Sequence, residues 1–438
     1  VDTHAAYKPL DLLQLYFSPT TGRTLCTNTN KRAEKSKEMG KKYKWADVEV
    51  EELYKFLGLL TYTSLVPLPS ITDYWKQNTI TSVPFPATVM ARDRFRALLW
   101  NIHPSDPEED NKNYEKKGTP EYNKVFRIKP LIDDILSACQ AHYHPRRELA
   151  VDERMVATKA KTGMTQYMKD KPTRWGIKLF VSVDSSNGYT VNFDIYTGNT
   201  HIHTHTHTHR VLGLSYDAVM HLIQPSYLGA GYHVYMDNFY TSVCLSPVLF
   251  QDLLQKRIWA CGTIRTNRIG FPRTKDHSLD SKSSRGSIHY TPSFSFSGEI
   301  RGMSPCVQMG SGRCMGGVDL SDAPMGYYKV LHKTQRWYKT FFYHFMDIAI
   351  VNAFLLHKAI AIGKGEKPLI QEAFKETLAE QLAQVGSPST ARPVPPTRPP
   401  RAQHRPVYIT GHSTDGRLKC RQCHAKTPLK MWLGNLYN

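Results

Sequence analysis

The sequence predicts an α/β protein, a mixed sheet carrying helices on both faces and flanked by α-helical segments. Three observations predict it. Apolar residues recur at three- and four-residue spacing up to about Cys139, the period becomes strand-like from Glu148, and a long helical stripe returns after Gly317.

The first helical pattern is carried by Tyr54, Leu57 and Gly58, then Phe95, Leu98 and Leu99, then Ile128, Leu131, Ile132, Ile135 and Leu136. It places residues 1–147 in a helical region. A basic run, Lys31-Arg32-Ala33-Glu34-Lys35-Ser36-Lys37, lies within it and suits either a phosphate track or a solvated helix face. Strand-like runs follow at 149–156, 176–183 and 189–196, then a helix at 216–223, a strand at 232–236, a helix at 242–255 and a strand at 258–264. Three strands followed by alternating helix and strand imply a mixed sheet in which the first and fourth strands can lie side by side. Residues 148–265 form the first part of this core, 266–315 a Ser- and Gly-rich insertion, and 316–365 the last part.

In that last part Trp337, Phe341, Phe345, Ile348, Asn352 and Leu355 step by three and four, an apolar stripe expected to dock on the sheet. Residues 366–406 hold one more helix, around Phe374 to Leu382, and a Pro-rich linker; residues 407–438 are a short Cys-containing tail. The alternating His-Thr tract from His201 to His209 reads as a surface loop.

Composition narrows the function. With 438 residues, 40% hydrophobic and 11% aromatic, the chain can bury a substantial core, which excludes wholesale disorder. The 57 Lys and Arg against 38 Asp and Glu leave a net charge of +19, an excess that serves a polyanion, nucleic acid first. No run of 18 apolar residues is present, so no membrane association is expected. The start, Val1-Asp2-Thr3-His4, suggests that residues precede it. Only Cys420 and Cys423 of the eight cysteines are closely spaced, which argues against a secreted disulfide framework and for the cytosol or nucleus.

The most informative residues are carboxylates set among apolar neighbours. Asp152 interrupts the first strand, Asp237 closes the fourth, and Asp319 with Asp322 opens the helical region after Gly316-Gly317-Val318. The sheet puts the first two on neighbouring strands, and a helix packed across them can bring the third. Clustered ionised carboxylates repel unless cations neutralise them. Two Mg²⁺ or Mn²⁺ ions about 4 Å apart would do so and would activate an attacking water or 3′-hydroxyl on a phosphodiester. Taken singly, Asp237 also suits a cap of the following helix, and Asp319 or Asp322 a cap of theirs. Lys171, Arg174 and Lys178 lead into the second strand, Arg265 and Arg268 follow the last, and Lys333 and Arg336 precede the long helix; all seven are candidate DNA contacts. Trp175 and Trp337 are expected in the core, although Trp175 could stack on an extruded base.

These residues fall in blocks that resemble the piggyBac-type transposases. The resemblance is carried by Ala150-Val151-Asp152-Glu153-Arg154-Met155, Lys171-Pro172 through Trp175-Gly176-Ile177-Lys178, Tyr235-Met236-Asp237-Asn238-Phe239-Tyr240-Thr241-Ser242, Gly262-Thr263-Ile264-Arg265, Met315-Gly316-Gly317-Val318-Asp319-Leu320-Ser321-Asp322 and Asp347-Ile348-Ala349-Ile350-Val351-Asn352-Ala353. It covers most of residues 10–365. It implies an RNase H-like catalytic core between helical dimerisation and DNA-binding segments. It further implies cut-and-paste DNA transposition through hairpin intermediates at TTAA targets, a homodimer on the transposon ends, a nuclear address and no small-molecule substrate. Asp152, Asp237 and Asp319 would be the metal-binding triad, with Asp322 beside them.

The chain departs from the family pattern between Thr263 and Asp319, where the insertion is short. Ala323-Pro324 is expected to interrupt the helix after Asp322. Cys420 and Cys423, even with His424, leave a four-ligand zinc site incomplete. The resulting expectation is a degraded copy with low or no metal-dependent strand cleavage and transfer. The alternative is a catalytically inactive, transposase-derived DNA-binding protein.

Overall fold

A computed structural model describes residues 5–40, 44–77, 80, 82–169, 171, 173–198, 213–241, 246–263, 314–330, 334–386, 406–407 and 430–431. The chain divides into two units, Val1–Gly386 and Ser387–Asn438. In the second, the strands Pro406–Val407 and Lys430–Met431 pair antiparallel. The His-Thr tract, most of the 266–315 insertion, Arg265, Arg268, Lys333, Cys420 and Cys423 lie outside the described residues.

Seven helices open the first unit: α1 (Pro9–Gln14), α2 (Pro19–Glu38), α3 (Val50–Leu65), α4 (Pro84–Val89), α5 (Arg92–Asn101), α6 (Pro107–Glu115) and α7 (Lys129–His142). Local chemistry starts them. Ser18 caps α2 by accepting from the Thr21 N–H at 3.1 Å, with Pro19 at the first helical position, where its missing N–H costs nothing. The basic run lies on α2, and Lys35 and Lys37 fall in its last turn, where cations suit the helix dipole.

The sheet contains β1 (Glu148–Ala157), β2 (Thr165–Tyr167), β3 (Trp175–Asp184), β4 (Thr190–Ile195), β5 (His233–Met236) and β6 (Trp259–Gly262), with α8 (Leu214–Leu222) and α9 (Pro225–Leu228) before β5 and α10 (Ser246–Gln255) before β6. Its order is β2-β3-β1-β5-β6, with β4 also on β3. β1 runs antiparallel to β3 and parallel to β5, and β5 parallel to β6. The expected adjacency of the first and fourth long strands is therefore present. β2 escapes the sequence pattern because three residues are too few to display a period of two.

Alternation along the strands feeds two cores. Ala150 and Val156 of β1 and Ile177, Leu179, Val181 and Val183 of β3 face the core shared with the flanking helices. Leu149, Val151 and Phe180 face the other core, with Val219, Leu222 and Leu253 of α8 and α10.

Three helices complete the unit: α11 (Gly317–Tyr327), α12 (Trp337–Gly363) and α13 (Gln371–Gln384). α12 is long and apolar enough to cross a membrane by composition, but 78% of its most apolar window is buried within the fold. The predicted stripe docks as expected: Phe341, Phe345 and Ile348 are fully buried. Asn352, the polar residue in that stripe, accepts from the Thr190 N–H and donates to the Thr190 carbonyl, both at 3.0 Å, pinning α12 to β4.

Two expectations are corrected here. α11 continues through Pro324. The ring removes one backbone donor, but buried Val318, Ser321 and Met325 hold the helix against its neighbours, and the Pro324 carbonyl accepts from Gln371 Nε2 at 2.7 Å. Trp175 is 61% exposed rather than in the core, because it begins β3 where only the short β2 lies alongside; it packs against Tyr167 at 5.0 Å between ring centroids. Trp337 does pack on the core.

α3 and α13 approach closely at Gly58, where an added Cβ would stand 2.9 Å from Leu382 Cβ and 3.1 Å from the Ala379 carbonyl oxygen. Gly58→Ala is expected to destabilise the fold by about 1–3 kcal/mol through overpacking, outweighing the ~1 kcal/mol gain in helix propensity. Urea unfolding measures it; an unchanged or higher midpoint would mean that the two helices are not in this contact.

Candidate functional site

The site is built by the parallel pairing of β1 and β5. Val151 is opposite Met236, so the next residues, Asp152 and Asp237, emerge side by side where the strands end their pairing. Ligating oxygens of Asp152, Glu153 and Asp237 lie within 4.8 Å of one another. Asp152 Oδ1 accepts from the Glu153 N–H at 2.7 Å. Asp237 Oδ1 accepts from the Phe239 N–H at 2.8 Å, which closes a local turn after β5.

Burial raises the Asp237 carboxyl above the ordinary aspartate range, and the Asp152 charge adds to the shift against the Phe239 N–H. Burial likewise pushes Glu153 up, to about 7, with Lys178 opposing it. Lys178 Nζ is 3.0 Å from Glu153 Oε1 and sits 3.7 Å from the centroid of the Phe239 ring. Burial lowers the Lys178 pKa. Lys178 is therefore a buried partner of Glu153, and its expected role as a DNA contact is corrected: its side chain is only 9% exposed.

Lys171 donates to Asp152 Oδ2 at 3.1 Å and to the Glu153 carbonyl at 3.0 Å. Tyr240 is fully buried, its hydroxyl lacks a hydrogen-bond partner among the described residues, and burial, then the charges of Glu153, Asp152 and Asp237, suppress its ionisation.

The other predicted acids differ in placement. Asp319 is exposed in the first turn of α11, outside the group of mutually close oxygens, but close enough for its charge to favour the Lys171 ammonium. Asp322 Oδ1 pairs with Arg154 Nε at 2.6 Å. Arg154 is buried and also reaches Ser321 Oγ at 2.9 Å, so Asp322 ties α11 to β1 and stands outside the group of mutually close oxygens. Glu153 was not singled out from sequence; its signal was its place next to Asp152 in a strand that begins Leu149-Ala150-Val151 and closes Met155-Val156.

A hard divalent cation fits what is present. The donors are carboxylate oxygens, they are partly buried, and an unpartnered hydroxyl lies in their field.

A cavity of about 1560 Å³ lies between the helical region and the sheet, lined by Arg32, Lys159, Lys329 and Arg336 together with Trp100 and Trp175. Among the described residues no Asp or Glu lines it. Arg336 and Arg174 are exposed as DNA contacts require. Sequence reading missed the groove as a unit because its cations come from α2, the end of β1 and the segment before α12.

A mixed sheet with helices on both faces, in which acids from parallel neighbouring strands come together, defines an α/β core with a clustered-carboxylate site. Residues 8–297 match the family model described as Transposase IS4, and the chain belongs to that family, in its piggyBac type. It is 24% identical over 422 residues to human PiggyBac transposable element-derived protein 3, covering 86% of this chain and 66% of that protein. It is 24% identical over 462 residues to human PiggyBac transposable element-derived protein 2, covering 95% of this chain and 72% of the relative. The chain thus spans just under two thirds of the first of these. The fold is also similar to a piggyBac transposase solved in a synaptic complex with hairpin DNA, with a TM-score of 0.70, 21% identity and coverage of 88% and 83% of the two chains. The core is RNase H-like.

Proposed function

We propose that this chain is a DNA strand-cleaving and strand-transferring transposase core that works with Mg²⁺ or Mn²⁺. The observation that carries the reading is the convergence of Asp152 and Asp237 from parallel neighbouring strands, with Glu153 within the same 4.8 Å. Asp152 and Asp237 would hold the cation, and Asp319 would complete a second ion's shell from α11. Bound there, such ions lower the pKa of a water or 3′-hydroxyl and stabilise a phosphodiester's leaving oxygen. Glu153, in the middle of β1, is held by Lys178, and the buried Tyr240 hydroxyl lies in the field of the acids. The basic groove, with exposed Trp175 at its wall, supports DNA as the partner, as does the net charge of +19. Assembly as a homodimer on transposon ends, TTAA targeting and nuclear localisation belong to the same reading.

A second reading is favoured by one specific observation: Asp152 is already neutralised by Lys171 and Asp322 by Arg154. Such a protein would bind DNA without chemistry. Incubation with supercoiled plasmid and Mn²⁺ separates the two. Metal-dependent nicking that disappears in Asp237→Ala while DNA binding persists is the expected outcome. Nicking that survives Asp237→Ala removes that acid from the mechanism, and salt-sensitive DNA binding with no nicking at any metal concentration leaves the silent reading.

A further inference from the structure

The acid cluster is balanced by two lysines of unequal freedom. Lys178 lies beneath the rings of Phe180 and Phe239 and cannot leave without stranding buried Glu153. Lys171 sits on the loop between β2 and β3, with its side chain 27% exposed. Although burial works against its charge, Asp152, then Glu153 and Asp319, hold its pKa above the ordinary lysine value. Its ammonium touches one carboxylate oxygen of Asp152 and one backbone carbonyl oxygen, the hard donors that an oxygen-liganded cation selects.

We propose that Lys171 is a built-in substitute for the divalent ion at Asp152, one that is displaced when the ion enters and is then free to meet a DNA phosphate. The inference rests on the metal-dependent reading above. A lysine so placed weakens ion binding in the absence of DNA, because the entering ion must break the Asp152 pair and then face a like charge. A phosphate that accepts the displaced ammonium relieves both costs. Ion and DNA therefore strengthen one another's binding, by the same factor in each direction. The lysine also keeps the metal-free cluster from repelling itself, so the site is assembled before the ion arrives.

The test is a Mn²⁺ titration of the full chain, followed by the electron paramagnetic resonance signal of the free ion, in wild type, Lys171→Met, Lys171→Gln and Lys171→Arg. Each is measured with and without a 20-base-pair duplex of arbitrary sequence, and circular dichroism establishes that each variant is folded. Without DNA, Lys171→Met and Lys171→Gln are expected to bind Mn²⁺ at least tenfold more tightly than wild type, and Lys171→Arg to stay within about threefold. The duplex should tighten Mn²⁺ binding in wild type and do so less in the two neutral variants. Unchanged or weaker affinity in whichever neutral variant folds, while wild type binds, overturns the role of Lys171 and leaves the metal site standing. Mn²⁺ bound by no variant and not by wild type, with or without DNA, overturns the metal reading and this inference together.

Discussion

Replacing Lys375 by Met is expected to destabilise the protein by about 3–5 kcal/mol, the usual cost of removing one partner from a buried charged arrangement. Lys375 is 1% exposed on α13, where it donates to the Tyr328 carbonyl and, at 3.3 Å, to Ser64 Oγ of α3. Its charge also faces Asp347 on α12, which is equally buried and has one oxygen without a partner among the described residues. Burial lifts Asp347 to about 6, against the opposing pull of Lys375, and burial lowers Lys375 to about 8.

The pH dependence follows from the sign of the Asp347 shift. Between its ordinary value of 3.8 and about 6 the folded state binds more protons than the unfolded state. Stability from this group is therefore gained as pH falls through 6 and lost as pH rises. Without Lys375 the Asp347 pKa rises further, so the penalty in Lys375→Met should be larger at pH 8 than at pH 5. Adding Asp347→Asn should recover much of it at pH 8. Chemical denaturation of the single and double variants at both pH values measures this; a penalty independent of pH would mean that Asp347 does not sense Lys375.

Asp237→Asn is expected to lower Mn²⁺ affinity at least a hundredfold while raising the thermal midpoint of the metal-free protein. A lost ligand should exceed the roughly 10- to 100-fold loss typical of outer-shell substitutions. The gain in stability has a separate origin. Burial, with help from the Asp152 charge, disfavours the Asp237 carboxylate, and a neutral amide of the same shape removes that penalty. Calorimetry of Mn²⁺ binding and a thermal melt in chelator check the two halves. An unchanged affinity would remove Asp237 from the ligand set, and a lower midpoint would mean that its hydrogen bond from the Phe239 N–H outweighs the relieved repulsion.

Much of the architecture was legible because it is periodic. Phe341, Phe345, Ile348 and Asn352 announce a face of α12, and Leu149 to Val156 announce a strand, because burial on one side selects residues at the element's own repeat. The strand order then implied that Asp152 and Asp237 lie on neighbouring strands, which the parallel β1–β5 pair bears out. The site's cations were not legible in the same way. Lys178 and Lys171 both look like phosphate contacts in a basic stretch, yet one is locked under Phe239 and the other rests on Asp152. Trp175 looked like core because large aromatics usually are.

The sequence by itself determined the long elements and the neighbouring placement of the strands that carry the first two acids, since these depend on local periodicity and short connections. Only the tertiary structure decided which charges neutralise which, how Asp322 is consumed by Arg154, and that cations from three distant segments line one groove. The physical reason is range: periodicity is written within ten or twenty residues, whereas an ion pair such as Arg154 with Asp322 joins residues separated by 168 positions and exists only once the chain has packed.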